Sequence, residues 1–215
     1  VRTRDWDWFD RFGSGVMPDR LDKFSFLVLG PHRFATEFER IAGTRYVPPV
    51  VLVPASRHFS WPKAVTLLGL GRDSLLEVPL DGHGHLSLTD FSDKLRSAHA
   101  ERRPVLMVVS VAGGTGTGSV DPVDKIQDIV EGHAAATGEE VWHHVDAAYG
   151  GYFCSVIPGA ADGSLSDEVR CSLGGIARAD SVTLDPHKLG FVPYSCGAIL
   201  TRDSQRYRCP TFDAP

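Results

Sequence analysis

Two short stretches of this chain end in groups that can do covalent chemistry. Ser181-Val182-Thr183-Leu184-Asp185-Pro186-His187-Lys188-Leu189-Gly190 carries an apolar run to an amine, and His144-Val145-Asp146-Ala147-Ala148-Tyr149-Gly150-Gly151 carries another to a carboxylate. Each run reads as a buried strand that delivers one charged group at its tip, which would bring acid and amine to a shared site. An amine that forms a Schiff base, and a carboxylate that keeps a pyridinium nitrogen protonated, are the two protein groups that pyridoxal phosphate (PLP) chemistry needs most.

Both residues have an ordinary alternative. A lone Asp at a strand tip more often caps a helix or sits in a loop, and most lysines after a strand are surface lysines. The context of Asp146 and Lys188 shifts that balance. A carboxylate beside buried strand residues is costly without a partner, and a pyridinium N–H would be one. The Asp185-Pro186 turn would hold the Lys188 amine rigidly, and partial desolvation would let it attack a carbonyl as the free amine.

Other candidates are less self-evident. His58 lies in Ser56-Arg57-His58-Phe59-Ser60, between a strand end and a helix start, where a flat imidazole could stack on a cofactor ring; alone it would be an ordinary loop histidine. His143, His144 and His187 invite a metal reading, but adjacent strand residues point to opposite faces, so His143 and His144 would not share an ion. His83 and His85 fall in a Gly-rich turn and are expected in solvent. Gly113-Gly114-Thr115-Gly116-Thr117-Gly118-Ser119 follows a strand and precedes a helix, as a dinucleotide-binding loop would, yet it lacks the third glycine of that fingerprint. Its small residues could instead let a ligand approach closely, with Thr115 as a polar contact to cofactor or substrate.

The elements that must position these groups alternate. Strands are predicted at Val50 to Val53, Leu75 to Leu80, Val105 to Val111, Val141 to Val145, Ser181 to Leu184 and Gly197 to Leu200. Helices are predicted over Trp61 to Leu68, with Ser60 as N-cap and Pro62 in the first turn, over Leu88 to His99, and from Asp121-Pro122 onward with Val123, Ile126, Ile129 and Val130 inward. This alternation predicts an α/β fold with a mostly parallel central sheet, in which ligands sit beyond the carboxyl ends of the strands. Residues 158–166, rich in Gly, Ala and Ser, read as a surface loop. Residues 1–49 form a separate irregular or helical segment, with Ala35 to Ala42 as a short amphipathic helix that puts Phe34, Phe38 and Ile41 on one side.

The bulk numbers bound the function. The chain has 215 residues, 42% hydrophobic and 23% charged, enough for one domain with a sizeable core. A net charge of -5 without a long basic run argues against nucleic acid. No apolar stretch is long enough to cross a bilayer, and Val1-Arg2-Thr3-Arg4-Asp5 has no signal-peptide core. The four cysteines, Cys154, Cys171, Cys196 and Cys209, form no C-x-x-C pair and read as reduced thiols of a cytoplasmic protein. A start at Val1 and a stop at Phe212-Asp213-Ala214-Pro215 read as a piece of something longer.

Four separated motifs resemble, in the same order, those of the group II PLP-dependent amino acid decarboxylases: Arg57-His58-Phe59-Ser60-Trp61-Pro62-Lys63-Ala64, Gly118-Ser119-Val120-Asp121-Pro122, His144 to Gly151, and Asp180 to Gly197. The likeness covers about residues 50–215 and is nearest to the bacterial tyrosine decarboxylase branch; residues 1–49 are similar to a variable insertion of that branch. It implies the large domain of a fold type I (aspartate aminotransferase-like) enzyme, incomplete here. It also implies that Lys188 holds PLP as a Schiff base, that Asp146 pairs with the ring nitrogen, and that His58 stacks on one ring face with Ala148 on the other. His187 would neighbour the phosphate or the Schiff base, and Thr115 would lie near the cofactor. Gly114 stands where many members carry Thr. Tyr194 would be either a substrate-side group or a structural tyrosine.

The resemblance places a phosphate-binding Gly-Gly-Thr segment, a loop tyrosine that protonates the carbanion and a small C-terminal domain outside these residues, so that half a site is expected here. It implies a homodimer with the site at the interface and an amino acid substrate, aromatic in this branch, converted to the amine and carbon dioxide. Two alternatives remain open: oxidative decarboxylation to an aldehyde on the same scaffold, and a non-catalytic fragment of such an enzyme.

Overall fold

A computed structural model describes residues 26–203, and of residues 26–28 and 159–162 the backbone alone. The aromatic cluster Trp6, Trp8, Phe9 and Phe12, Cys209 and the segment Phe212 to Pro215 lie outside the described residues. The chain runs α1 (Phe26–Ala42), β1 (Val50–Pro54), α2 (Ser60–Leu67), a short 3-10 turn (Arg72–Ser74), β2 (Leu75–Val78), α3 (Leu88–Ala100), β3 (Val105–Val111), α4 (Val123–Thr137) and β4 (Trp142–Asp146). A long 3-10 segment (Gly150–Asp162), α5 (Asp167–Gly175), a second short 3-10 turn (Ile176–Arg178), β5 (Ser181–Leu184) and β6 (Ala198–Thr201) complete it.

The strands form one six-stranded sheet in the order β2-β1-β3-β4-β5-β6. The first five are parallel and β6 returns antiparallel against β5. From β1 the chain moves outward to β2, then crosses back over β1 to β3. The strand order therefore reverses between β1 and β3, and the loops leaving their carboxyl ends part there, which opens a crevice in this class of sheet.

Burial explains why these short strands hold. Val50, Leu52, Val78 and Val108 face α3 and α4, packing on Phe91, Leu95, Ile126 and Val130. Val51, Val53 and Val109 face the other way, towards Trp61. A strand buried on both faces reads as a near-continuous apolar run, as Val50–Pro54 of β1 does; β3 and β4 carry the buried polar residues Ser110, His143 and His144. Each fully buried Val, Leu or Phe contributes about 1.5–3 kcal/mol.

Several local expectations need correction. Ser60 is the first residue of α2 rather than its cap: Phe59 precedes the helix without a side-chain cap, and the Ser60 hydroxyl is taken by His58 Nδ1 at 2.8 Å. Asp121 does not cap α4. Its buried carboxylate accepts from the N–H groups of Leu86 and Val111 at 2.7 and 2.8 Å, tying the Leu80–Leu86 bridge to the end of β3. Burial pushes its carboxyl above the ordinary range, against the pull of those two donors.

The inner face of α4 includes Gln127, a polar residue that apolar periodicity could not flag. The 158–166 segment is not a plain loop: residues 158–162 continue the long 3-10 segment, and Ser166 caps α5 by accepting from Val169 N–H. The strand predicted to Leu80 stops at Val78. The helix predicted from Ala35 begins at Phe26 and bends at Gly30-Pro31; Phe34 and Phe38 pack on Tyr46, while Ile41 stays exposed.

Candidate active site

The crevice between the β1 and β3 ends is a cleft of about 690 Å³, walled by the loops after β1, β3, β4 and β5. Lys188, Asp146, His58, Ala148 and Thr115 all line it. Residues nearly 130 positions apart in the chain are thus brought together because every parallel strand ends on the same side. His187 and Tyr194 are not among the lining residues. The His187 Nδ1 meets the Cys196 carbonyl at 2.5 Å, its ring lies tilted against the Tyr194 ring at 4.4 Å, and its Nε2 is 3.8 Å from Asp185 Oδ2. Tyr194 itself is 82% exposed.

Lys188 is placed by a turn. Its N–H donates to the Asp185 carbonyl at 2.9 Å, which curls the chain after β5 and aims the side chain into the cleft. The amine then meets two groups. Asp185 Oδ2 lies 2.9 Å from Nζ, and the Tyr149 ring lies 4.8 Å away. The sequence context predicts a partly desolvated amine, and the tertiary structure adds the Asp185 carboxylate beside it. Lys188 and Asp185 side chains are only 21% and 18% exposed, so the pair is shielded from bulk water on most sides.

Asp146 ends β4, in register with Val111 and Thr183 on either side. Its carboxylate accepts one long bond, from Ala148 N–H at 3.4 Å. Beneath it on the same face of β4, His144 is locked: Nδ1 meets Ser181 Oγ at 2.7 Å and Nε2 meets Thr183 Oγ1 at 3.0 Å. Ser181 Oγ also accepts from Trp142 Nε1 at 2.7 Å, so it bridges the two side chains. Burial holds His144 below the usual histidine range, hence neutral.

His143 points to the opposite face, as strand alternation requires. Its Nδ1 bonds Gln127 Oε1 at 2.7 Å and its Nε2 bonds Ser110 Oγ at 2.8 Å. Burial pushes its pKa down to about 3. The two histidines therefore share no ligand, and both are spacers with every nitrogen occupied.

The Gly113–Ser119 loop is not a dinucleotide cradle. The Gly113 and Gly114 N–H groups both donate to the Ser119 carbonyl at 3.0 and 2.9 Å, and an Ala112–Val120 bridge separates the loop from α4. The amides of Gly113, Gly114, Gly118 and Ser119 are thus used within the loop, which lies away from a helix N-terminus. The loop presses on the turn after β4: a Cβ on Gly150 would meet the Ala112 carbonyl oxygen at 2.5 Å, and one on Gly113 would meet Gly150 N at 2.7 Å. Two backbones can pass this closely only without side chains.

The residues fit PLP. The Asp146 carboxylate has a free acceptor position facing the cleft, where a ring N–H would complete it. Lys188 offers the amine, and the His58 ring, tethered through Nδ1 to Ser60, presents a flat surface. Ser56 Oγ and Arg57 Nε, in the wall of the same cleft, are buried without a partner among the described residues. Sequence reasoning missed Asp185, Tyr149, Ser56 and Arg57 as cleft residues. For Asp185 a signal existed, an acid three residues before the lysine in one turn; for the others only the folded strand order places them.

Comparisons with known proteins agree with this geometry. Residues 44–210 match the family model described as the pyridoxal-dependent decarboxylase conserved domain. The chain is 34% identical over 174 residues to the L-tyrosine decarboxylase of Levilactobacillus brevis, covering 71% of this chain and 28% of that protein. It is 38% identical over 154 residues to the L-2,4-diaminobutyrate decarboxylase of Rhizobium meliloti, covering 72% and 28% respectively. Among solved structures, mouse CSAD superposes with a TM-score of 0.62 at 31% identity, covering 86% of this chain and 34% of that one. The chain thus spans under a third of the length of the curated relatives cited. An α/β fold with a mostly parallel sheet, a shared cleft for Lys188 and Asp146, and a family match over most of the sequence lead to one conclusion: the chain belongs to the pyridoxal-dependent decarboxylase family.

Proposed function

We propose that the parent protein removes the α-carboxylate of an amino acid, with PLP held in the cleft between β1 and β3, and that aromatic substrates are preferred. The observation that carries this reading is the meeting of the Lys188 amine, the Asp146 carboxylate and the His58 ring in one cleft. When bound, PLP supplies a carbonyl that captures amines and a ring that draws off the electron pair left at the substrate's α-carbon.

This chain's own residues do the rest. The Asp146 carboxylate would hold a proton on the ring nitrogen, the state in which the ring is a strong electron sink. Asp185 Oδ2, 2.9 Å from Lys188 Nζ, is placed to accept a proton from that amine and to return it. His58 would cover one face of the ring and exclude water there, and Ala148 is small enough to leave room for the ring against the β4 turn. His144 and its hydroxyl partners fix the depth of Asp146 from below.

Aromatic preference is supported by the likeness to the tyrosine decarboxylase and by Phe59, Trp61 and Tyr149 in the cleft wall. The diaminobutyrate relative is equally similar in sequence, so the substrate is decided by assay. Full-length parent protein, loaded with PLP, is tested against Tyr, Phe, Trp, Dopa, Glu and 2,4-diaminobutyrate for carbon dioxide and amine. Turnover of an aromatic acid to its amine supports the proposal; aldehyde and ammonia in place of amine would sink it, as would turnover of Glu or diaminobutyrate alone. We place this protein in the cytoplasm as a homodimer whose second subunit completes the cleft; a PLP-loaded, active monomer on size-exclusion mass measurement would refute the dimer.

A further inference from the structure

At the end of the sheet opposite the cleft, donor atoms from three places converge. His99 lies in the last turn of α3, His133 lies near the end of α4, and Glu139 follows Gly138, whose left-handed backbone ends α4. His99 Nδ1 is 3.0 Å from Glu139 Oε1, and His133 Nε2 is 3.3 Å from Glu139 Oε2. The two imidazoles meet edge to face at 5.7 Å, and the three candidate ligand atoms lie within 4.8 Å of one another.

We propose that His99, His133 and Glu139 form a binding site for a divalent transition-metal ion of the Zn²⁺ class. Two imidazoles and a carboxylate are a donor set that suits zinc and its neighbours, whereas Mg²⁺ and Ca²⁺ take oxygen. A tetrahedral ion with bonds of about 2.0 Å holds its donors roughly 3.3 Å apart. The two His–Glu separations are already of that size, but they reach different oxygens of Glu139, so the carboxylate must turn to offer one oxygen to the ion and the imidazole pair must draw closer. The side chains are graded for this: His133 is 7% exposed and anchored, while His99 and Glu139 are 45% and 48% exposed and free to swing.

The surroundings favour a cation. The carbonyl ends of α3 and α4 both point to this end of the sheet, and helix C-termini carry partial negative charge. A cleft of about 660 Å³ opens beside the cluster, lined by His99, Glu139, Glu140 and Arg102, and leaves room for water as the fourth ligand. Arg102 is the one basic side chain on that wall and opposes the ion. The site lies at the start of β3 and β4, whereas Asp146 is the last residue of β4 and Lys188 lies past the end of β5. The ion would clip α3 to α4 and act on stability, not on the reaction.

The test uses full-length, tag-free protein stripped with a chelator and titrated with ZnCl₂ by calorimetry, and with Co²⁺ by visible absorption. Wild type is compared with Glu139→Gln and His99→Gln, two exposed positions whose folding is checked by circular dichroism. Because His83, His85 and Cys171 can also take zinc, the reading is the difference between wild type and variant. The expected result is the loss of one equivalent, or weakening of that equivalent by on the order of 100-fold, in both variants. Zinc should also raise the melting temperature of wild type more than that of either variant. Equal stoichiometry and affinity in all three proteins, or no stoichiometric zinc in wild type, overturns the proposal.

Discussion

Asp185 Oδ2 and Lys188 Nζ sit 2.9 Å apart across a single turn that follows β5, so the cleft's amine comes with its own proton acceptor. If Asp185 handles that proton, Asp185→Asn should leave PLP loading intact and lower kcat by about 10²-fold, the scale of one general acid–base group. Absorbance of the bound cofactor and steady-state rates on the parent protein check the two halves separately. Lys188→Ala should abolish the yellow colour of the covalently bound cofactor altogether.

Asp146→Asn keeps the shape of the β4 tip and removes its charge. Without a carboxylate the ring nitrogen loses its proton, and the electron sink with it. A rate loss of about 10²-fold or more is expected, together with weaker PLP retention on dialysis. A variant that keeps the wild-type rate would remove Asp146 from the site.

His143 makes stability depend on pH with a definite sign. Its folded pKa is about 3, against 6.5 for the ordinary histidine. The unfolded chain therefore binds a proton that the folded chain refuses between those values, and stability falls as pH drops through that window. The slope for one such group is about 1.4 kcal/mol per pH unit. His143→Gln, which can bond Gln127 and Ser110 without a titratable ring, should flatten the pH dependence of urea unfolding between pH 6.5 and 4 relative to wild type.

Gly150→Ala should damage fold and cleft together. The new Cβ would lie 2.5 Å from the Ala112 carbonyl oxygen, which also accepts the Gly150 N–H bond at 2.9 Å. Neither backbone can give way without moving the loops after β3 and β4. A destabilisation of about 1–3 kcal/mol, read from the urea midpoint, should accompany weaker PLP binding. Gly132→Ala on α4, with open space around its Cβ and away from the cleft, is the control.

Much of the fold could be read from local pattern. β3 runs over Val105–Val111 as its apolar stretch predicts, and β5 over Ser181–Leu184 likewise. Where polar residues mark an element, local pattern misleads. Asp121-Pro122 looks like a helix start, yet Asp121 spends its oxygens on Leu86 and Val111, from which it is separated by 35 and 10 residues. Ser60 looks like a cap, yet its hydroxyl goes to His58. A polar side chain takes whichever partner the fold brings nearest, and sequence spacing does not rank partners.

The same division holds in the cleft. Sequence alone determined that Asp146 lies at the end of one strand of an α/β sheet and Lys188 just past the end of another, because a mainly apolar run marks a buried strand and the charge that follows it stands out. It also carried enough of the family's motifs to identify the chemistry. Only the tertiary structure decided which side chains meet there. It put Asp185 rather than His187 against the amine and turned His187 to Cys196. It gave Tyr149 and Arg57 to the wall. The reason is geometric: the order of parallel strands and the close passage of Gly113 and Gly150 are settled by packing between distant segments, and no local pattern encodes them.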